Sequence, residues 1–278
     1  MTFIRKHRLF THLMLMAGAL VMLYPLLWMV SSSFKPASII FSEPGIIPSQ
    51  LTLDNYTHGW TALGTPFSQF YLNSFTIVAL VVFGNVVTCS LTAYAFARLN
   101  FRFKKVWFTL MLGTIMLPGH VTLIPTYVLF NQLGWLNSFL PLTVPSFFST
   151  SAFFVFLMVQ FIRGIPRDLD DAASVDGANS FQIYWYIILP LSTPALITTA
   201  IFSFIWEWDN FFTHLLYINS ISLFTVPLGL RTFIDATGES SYGPLFAMSV
   251  LSLIPVFMFF IGAQRWLVEG ISTTGFKG

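Results

Sequence analysis

The stretch DLDDAASVDGANSFQIYWYIILP, Asp168 to Pro190, is the only polar, helix-forming passage of any length between two long apolar runs. It reads as two short helices meeting at a turn. Pro166 suits the opening of the first helix, where its missing N–H is not needed. Asp168, Asp170 and Asp171 load the first turns, where the helix dipole favours negative charge. Gly177 is the expected left-handed stop. Asn179 then takes an N-cap position, with Gln182 at capping-box spacing. In the second helix Phe181, Tyr184, Trp185 and Ile188 fall at i, i+3, i+4 and i+7, which predicts four bulky side chains on one face. Pro190 and Pro194 set off the next apolar run. A compact helical pair with an exposed apolar face, held at a membrane surface, has the shape of a dock for another protein.

The runs on either side belong to a membrane. Of the 278 residues, 55% are hydrophobic and only 9% are charged, against about a quarter charged in soluble domains. A mean hydropathy of +0.75 agrees. The reading is an all-α polytopic membrane protein forming a single membrane domain over residues 1–278, with no soluble domain attached. The one cysteine, Cys89, excludes an intrachain disulfide, and its apolar setting suggests helix packing rather than redox chemistry.

Six spans are expected, at about residues 9–30, 70–97, 106–127, 142–162, 194–218 and 243–263. The first follows Arg5, Lys6 and Arg8. It is longer than a signal-peptide core and no A-x-A site follows, so it reads as an uncleaved span, with a signal peptide as the alternative. Ser31 to Gln69, with Pro36, Pro44, Pro48 and Pro66, is too polar and broken to cross a bilayer and reads as an outer loop. Pro118 should kink or interrupt the third span. Ser146, Ser149 and Ser151 open the fourth, where small residues permit close helix approach. An outer loop carrying Arg231, Asp235 and Glu239 precedes the sixth, and Arg265 and the tail GISTTGFKG end the chain.

An even number of spans puts both termini on one side. Eleven of the thirteen Lys and Arg residues fall on that face together with the Asp168–Pro190 stretch, and only Lys35 and Arg231 fall opposite. The positive-inside rule makes the crowded face cytoplasmic. No G-x-x-x-x-G-K-[ST] phosphate loop is present, so the chain is not itself a nucleotide hydrolase. His7, His12, His58, His120 and His214 show no metal-ligand spacing, and no nucleophile–base pair is readable. Neither an enzyme nor a nucleic-acid binder is indicated.

Polar groups deep in an apolar span are expensive and are functional candidates by default. The fifth span holds the densest set: Glu207, Trp208, Asn210, Phe211 and His214, beside Trp206, Asp209 and Phe212. At ~1.5 Å per residue from Pro194, Glu207 lies about 20 Å up a core about 30 Å thick, in the outer third. In a continuous helix Glu207, Asn210, Phe211 and His214 share a face, which suits the outward end of a passage. The plain alternative is an aromatic belt with charges reaching the headgroups.

Asp171-Ala172-Ala173, then Gly177, then Ile187, Leu189 and Pro190 resemble the EAA loop, E-A-A-x3-G-x9-I-x-L-P, of the permease subunits of bacterial ABC importers. Asp171 stands where that family usually has Glu. The pieces Ser33–Pro36 and Leu51–Tyr56 are similar to the first outer loop of its carbohydrate branch. Trp208-Asp209-Asn210-Phe211 resembles a W-N-x-F element with Asp for the usual Asn. The likeness is closest to the second permease of maltose-type importers. It implies a cytoplasmic two-helix coupling loop over about 164–193 that seats in an ATPase cleft, with Asp171 offered to a basic group there. Phe181, Tyr184, Trp185 and Ile188 would divide between that cleft and the chain's own span ends. It further implies a partner permease, two cytoplasmic ATPase subunits that hold ATP and Mg, an extracytoplasmic solute-binding protein, and a tail from Glu269 to Lys277 near the ATPases. This chain would itself bind no cofactor. A neutral oligosaccharide is the preferred cargo, because no Arg or Lys lies inside the spans to meet an anion. The competing readings are an ion-coupled secondary transporter, which wants ionisable groups near the midplane, and a non-transporting membrane scaffold.

Overall fold

A computed structural model describes residues 2–235 and 241–274, with side chains for residues 10–234, 241–262 and 264. The Glu239 site and the last residues of the tail, Gly275 to Gly278, lie outside the described residues. So do the side chains of Arg5, Lys6, Arg8, Asp235 and Arg265. Among the described residues every regular element is helical: α1 Thr2–Ser33, α2 Asp54–Thr61, α3 Phe67–Arg98, α4 Lys104–Ile115, α5 Gly119–Gln132, α6 Leu140–Thr143, α7 Ala152–Gly164, α8 Asp168–Val175, α9 Ser180–Leu191, α10 Thr193–Trp208, α11 Phe212–Tyr217, α12 Val226–Asp235 and α13 Tyr242–Thr274. Phe10–Ser33, Phe67–Arg98, Leu140–Gly164 and Tyr242–Gly262 are long and apolar enough to cross a membrane. Counting each of two bent pairs, α4 with α5 and α9 with α10, as one span makes six.

Three of the expected spans are not single helices. The third breaks at Met116–Pro118 and turns by 101°, because Pro118 adopts an extended ψ of 128° and supplies no N–H to continue the ladder. The fourth passes from α6 through a 3-10 turn at Val144–Phe148 to Ser149, whose φ of 52° is left-handed, before α7 begins. The fifth stops at Trp208 and resumes only as the short α11, so the continuous helix expected to Ile218 is interrupted at Asp209–Phe211. There Asn210 turns its side-chain oxygen to the Thr213 amide, 3.4 Å away, a local alternative to the helix ladder.

The chain divides into two compact units: Met1–Gln69 with Leu228–Ile254, and Phe70–Pro227 with Pro255–Gly278. In the first unit the segment expected as an outer loop is folded around Lys35, which is fully buried and donates to the carbonyls of Glu43 at 2.6 Å and Gly45 at 2.7 Å. Asn55 donates to the carbonyls of Ser33 and Lys35, each at 2.8 Å, and the Ser33 and Tyr56 hydroxyls meet at 2.8 Å. The two outer-loop pieces singled out in the sequence therefore clasp one another. A Cβ on Gly243 would run into the Asn55 side chain, which its two carbonyl partners hold in place, so glycine lets α13 pass this clasp undisturbed.

In the second unit a core of Cys89, Ala93, Tyr94, Ala97, Phe154, Met158, Ile162, Ile183, Tyr184, Ile188 and Ala195 gathers α3, α7, α9 and α10. Higher on α3, Gly84, Thr88 and Thr92 form a stripe at four-residue spacing against the Val144–Ser149 segment. A Cβ on Gly84 would come within 2.6 Å of Ser146 Oγ. The Thr88 hydroxyl shares its one hydrogen between the Gly84 carbonyl of its own helix at 2.8 Å and the Ser146 carbonyl at 2.9 Å, and the Thr92 and Ser149 hydroxyls meet at 2.8 Å. Small residues here let two backbones close and bond through hydroxyls.

Candidate functional site

The Asp168–Leu191 loop is built much as its residues dictate. Asp168, Asp170 and Asp171 occupy the first turn of α8. Gly177 ends it with φ of +84°. The Ala178 amide bonds back to the Ala173 carbonyl at 2.9 Å and the Gly177 amide to Ser174 at 3.1 Å, the paired bonds of a Schellman cap. Asn179 accepts from the amides of Phe181 and Gln182 at 3.0 and 2.9 Å, while the Gln182 side chain accepts from the Asn179 amide at 2.8 Å. This capping box is worth on the order of 1 kcal/mol to the start of α9.

The single bulky face does not survive. Tyr184–Ile188 is a π-helical turn, wider than 3.6 residues, and it splits the four side chains. Tyr184 and Ile188 are buried in the core of the unit, whereas Phe181 is 65% and Trp185 53% exposed. The two exposed rings stack on each other at 6.3 Å. Asp171 and Ala172 are exposed on the first helix, and Ala173 is half-buried. Ile187 and Leu189 are half-buried, while Gly177 and Pro190 are exposed. The loop thus presents Asp171, Ala172, Phe181 and Trp185 outward while Tyr184 and Ile188 hold it down.

What holds it was not read from the sequence. Arg98, the last residue of α3, has a side chain only 4% exposed; its Nε lies 3.0 Å from Asp170 Oδ2 and its Nη2 donates to the Ile165 carbonyl at 2.7 Å. Tyr94 donates to the Ser180 carbonyl at 2.8 Å. Ser90 gives its hydrogen to the Val87 carbonyl at 2.9 Å, so at 2.8 Å it accepts from the Tyr184 hydroxyl. Burial pushes the Asp170 carboxyl above its ordinary value, against the downward pull of the Arg98 and Arg167 guanidiniums. Its Oδ1 is buried without a hydrogen bond, which accounts for burial prevailing. A basic residue ending an apolar run was the available sequence signal for Arg98, but nothing local pairs it with Asp170.

The second candidate set lies around a cavity of about 570 Å³ in the same unit, within the range of small-molecule sites. Phe130, Trp135, Phe148 and Tyr217 give it aromatic walls. Thr126, Thr150, Glu207, Asn210 and Thr213 give it polar ones, and no Lys, Arg or His lines it. Glu207 is held at both oxygens: His214 Nε2 lies 2.9 Å from Oε1, and Asn210 Nδ2 donates to Oε2 at 3.2 Å. His214 is buried behind the wall, and its Nδ1 lies 2.8 Å from the Thr225 hydroxyl. Of the five residues named in the fifth span, Glu207 and Asn210 reach the cavity and His214 braces Glu207. Trp208 packs instead between Phe75 at 5.0 Å and Phe204 at 5.7 Å, and Phe211 is half-buried off the cavity wall. The break at Asp209–Phe211 takes Phe211 off the face expected of a continuous helix, while Trp208, one residue past Glu207 on α10, points to another side of that helix.

Such an arrangement can accept hydrogen bonds from hydroxyl groups and offer flat apolar faces, and no cluster that could hold a metal ion is found among the described residues. Residues 86–273 match the family described as binding-protein-dependent transport system inner membrane component. The chain is 32% identical to the arabinooligosaccharides transport system permease protein AraQ of Halalkalibacterium halodurans, over 94% of this chain and 93% of that one. It is also 32% identical to the sn-glycerol-3-phosphate transport system permease protein UgpE of Yersinia pestis, over 95% of each. Its fold is that of a bacterial ABC transporter involved in the import of the acidic polysaccharide alginate, known from a crystal structure. The TM-score is 0.83 at 22% identity, over 94% of this chain and 96% of that one. With several apolar helices, the fold and most of the chain matched, this protein belongs to the family of inner-membrane permease components of binding-protein-dependent ABC importers.

Proposed function

We propose that this permease moves an uncharged, hydroxyl-rich saccharide through the Glu207–Asn210 cavity, driven by ATP hydrolysis in separate subunits seated on the Asp168–Leu191 loop. The observation that carries the reading is the loop itself. Asp171, Phe181 and Trp185 stand exposed on a helical pair whose other side is fastened down. An exposed apolar pair beside a carboxylate at a helix start suits a cleft with an apolar floor and a basic rim. The ATP and Mg belong to those two cytoplasmic ATPase subunits. A second permease completes the passage, and an extracytoplasmic solute-binding protein delivers the cargo. Alternating exposure of the cavity to the two sides then moves the solute.

The bias of eleven basic residues to two supports a cytoplasmic loop and cytoplasmic termini. For the cargo, AraQ is named for arabinooligosaccharides and UgpE for a phosphate ester, so the relatives' names do not choose between them. The cavity's chemistry supports the uncharged saccharide. Carboxyl, amide and hydroxyl groups with no Lys or Arg among the lining residues suit a solute's hydroxyls better than an anion. In this reading the tail from Glu269 lies near the ATPases. The decisive experiment is purification followed by uptake in proteoliposomes. Two ATPase subunits should co-purify with the chain and be lost on Gly177→Pro, and uptake should require ATP. Uptake driven by a proton or sodium gradient without ATP would overturn the reading.

A further inference from the structure

One face of α3 meets every part of the docking loop although no stretch of backbone joins them directly. Ser90, Tyr94 and Arg98 recur at four-residue spacing, so they lie in one row. From top to bottom they hold the Tyr184 hydroxyl, the Ser180 carbonyl, and then Asp170 together with the Ile165 carbonyl. The row therefore touches the second helix, its first residue, the first helix and the strand of chain leading into it. Tyr94 and Tyr184 also pack ring to ring at 5.3 Å. Around them Cys89, Ala93 and Ala97 close the apolar seam with Ile183 and Ile188.

The upper part of the same helix grips the cavity. The Gly84, Thr88 and Thr92 stripe is closed against Val144–Ser149, with two hydroxyl bonds of 2.8–2.9 Å. Val144, Pro145 and Phe148 of that segment form one wall of the cavity, and Thr150 follows directly. Asn85 adds a bond of 3.1 Å to Ser203 of α10, the helix that carries Glu207. The wall segment is the least regular part of this unit, a 3-10 turn ending in a left-handed serine. It has few helical bonds of its own to resist being moved.

We propose that α3 is the connecting rod of this permease: its Ser90–Tyr94–Arg98 row clamps the docking loop, and its Gly84–Thr88–Thr92 stripe delivers the loop's displacement to the Val144–Thr150 wall of the cavity. This assignment rests on the ATPase-docking role of the loop. It adds that the stroke reaches the cavity through a helix the loop is not chained to, by side-chain bonds that can be cut singly. The backbone routes through α7 and α10 remain when the clamp is cut, so the clamp is separable from mere continuity of the chain.

The test uses the assembled complex with its ATPase subunits in nanodiscs, in a Cys89→Ser background, with spin labels at Val175→Cys on the loop and Phe148→Cys on the wall. Distances are measured without nucleotide and with ATP, Mg and vanadate. With the clamp intact the Val175–Phe148 distance should be the same in both states, because loop and wall travel together. Arg98→Gln with Tyr184→Phe should leave ATP hydrolysis running while the distance shifts or broadens in the vanadate state. Tyr184→Phe alone keeps the ring against Tyr94 and removes only the bond to Ser90. It should show a smaller shift in the same direction, and it remains informative where the double variant does not assemble. A distance that changes between states in the intact complex, or that stays unchanged in both clamp variants, would overturn the proposal. Failure of any ATPase subunit to co-purify would be seen before labelling and strikes the underlying reading instead.

Discussion

Glu207 is the one carboxylic acid among the residues lining the cavity, and both of its oxygens are already engaged, by His214 and Asn210. Those two partners orient the carboxylate while leaving its remaining lone pairs for a solute hydroxyl. A hydrogen bond to a charged group contributes about 1.5–3 kcal/mol, so Glu207→Ala should lower transport efficiency by roughly ten- to a hundredfold. Asn210→Ala, which removes a neutral partner, should do so by less. ATPase subunits should remain bound in both variants, since neither residue lies near the loop. Uptake at the wild-type rate in both would defeat the assignment of the cavity. Spacing along an imagined continuous helix grouped Glu207, Asn210 and His214, which the fold also brings together, with Phe211, which the fold sets apart. The backbone turns at Asp209, and only a side-chain network across the turn keeps the first three together.

Helices in this chain meet through small residues and break at polar or proline-bearing joints. One close approach to backbone is between Gly84 and Ser146, where an added Cβ would lie 2.6 Å from the serine oxygen and 3.1 Å from its carbonyl carbon. The oxygen can swing away but the backbone cannot, so Gly84→Val should push α3 off the wall segment. Overpacking of this kind costs about 1–3 kcal/mol, which would show as a lower melting midpoint of the purified complex. An unchanged midpoint would mean that the contact is looser than its geometry. The serines at 146, 149 and 151 were legible as a close-packing site, but their partner stripe was not. Glycine and threonine in an apolar run carry no mark of which helix they will face. The Pro118 break was legible because proline acts on its own neighbours. Its angle of 101° was not, because the packing of α4 and α5 sets it.

Taken over its full length the chain has an asymmetric charge distribution and two well-exposed reporters of sidedness, Ile47 in the outer loop and Val175 at the end of α8, at 90% and 88% exposure. In a Cys89→Ser background, Ile47→Cys should react with a membrane-impermeant maleimide added outside the inner membrane. Val175→Cys should react only after that membrane is opened. The reverse pattern would place the docking loop outside and remove the basis for ATP coupling. Short-range chemistry settled a great deal here: where apolar runs lie, how the basic residues are distributed along their flanks, and how Gly177 and Asn179 shape the loop. Each of these depends on residues within a turn or two of one another, or on composition averaged over a run, and so is written in order along the chain. The fold alone decided that Tyr184 turns inward while Trp185 stays out, that Asp170 finds Arg98, and that α3 spans from loop to cavity. Ser90 and Tyr184 stand 94 positions apart. A bond between them exists only after the helices have packed, and no local preference of either residue foretells it.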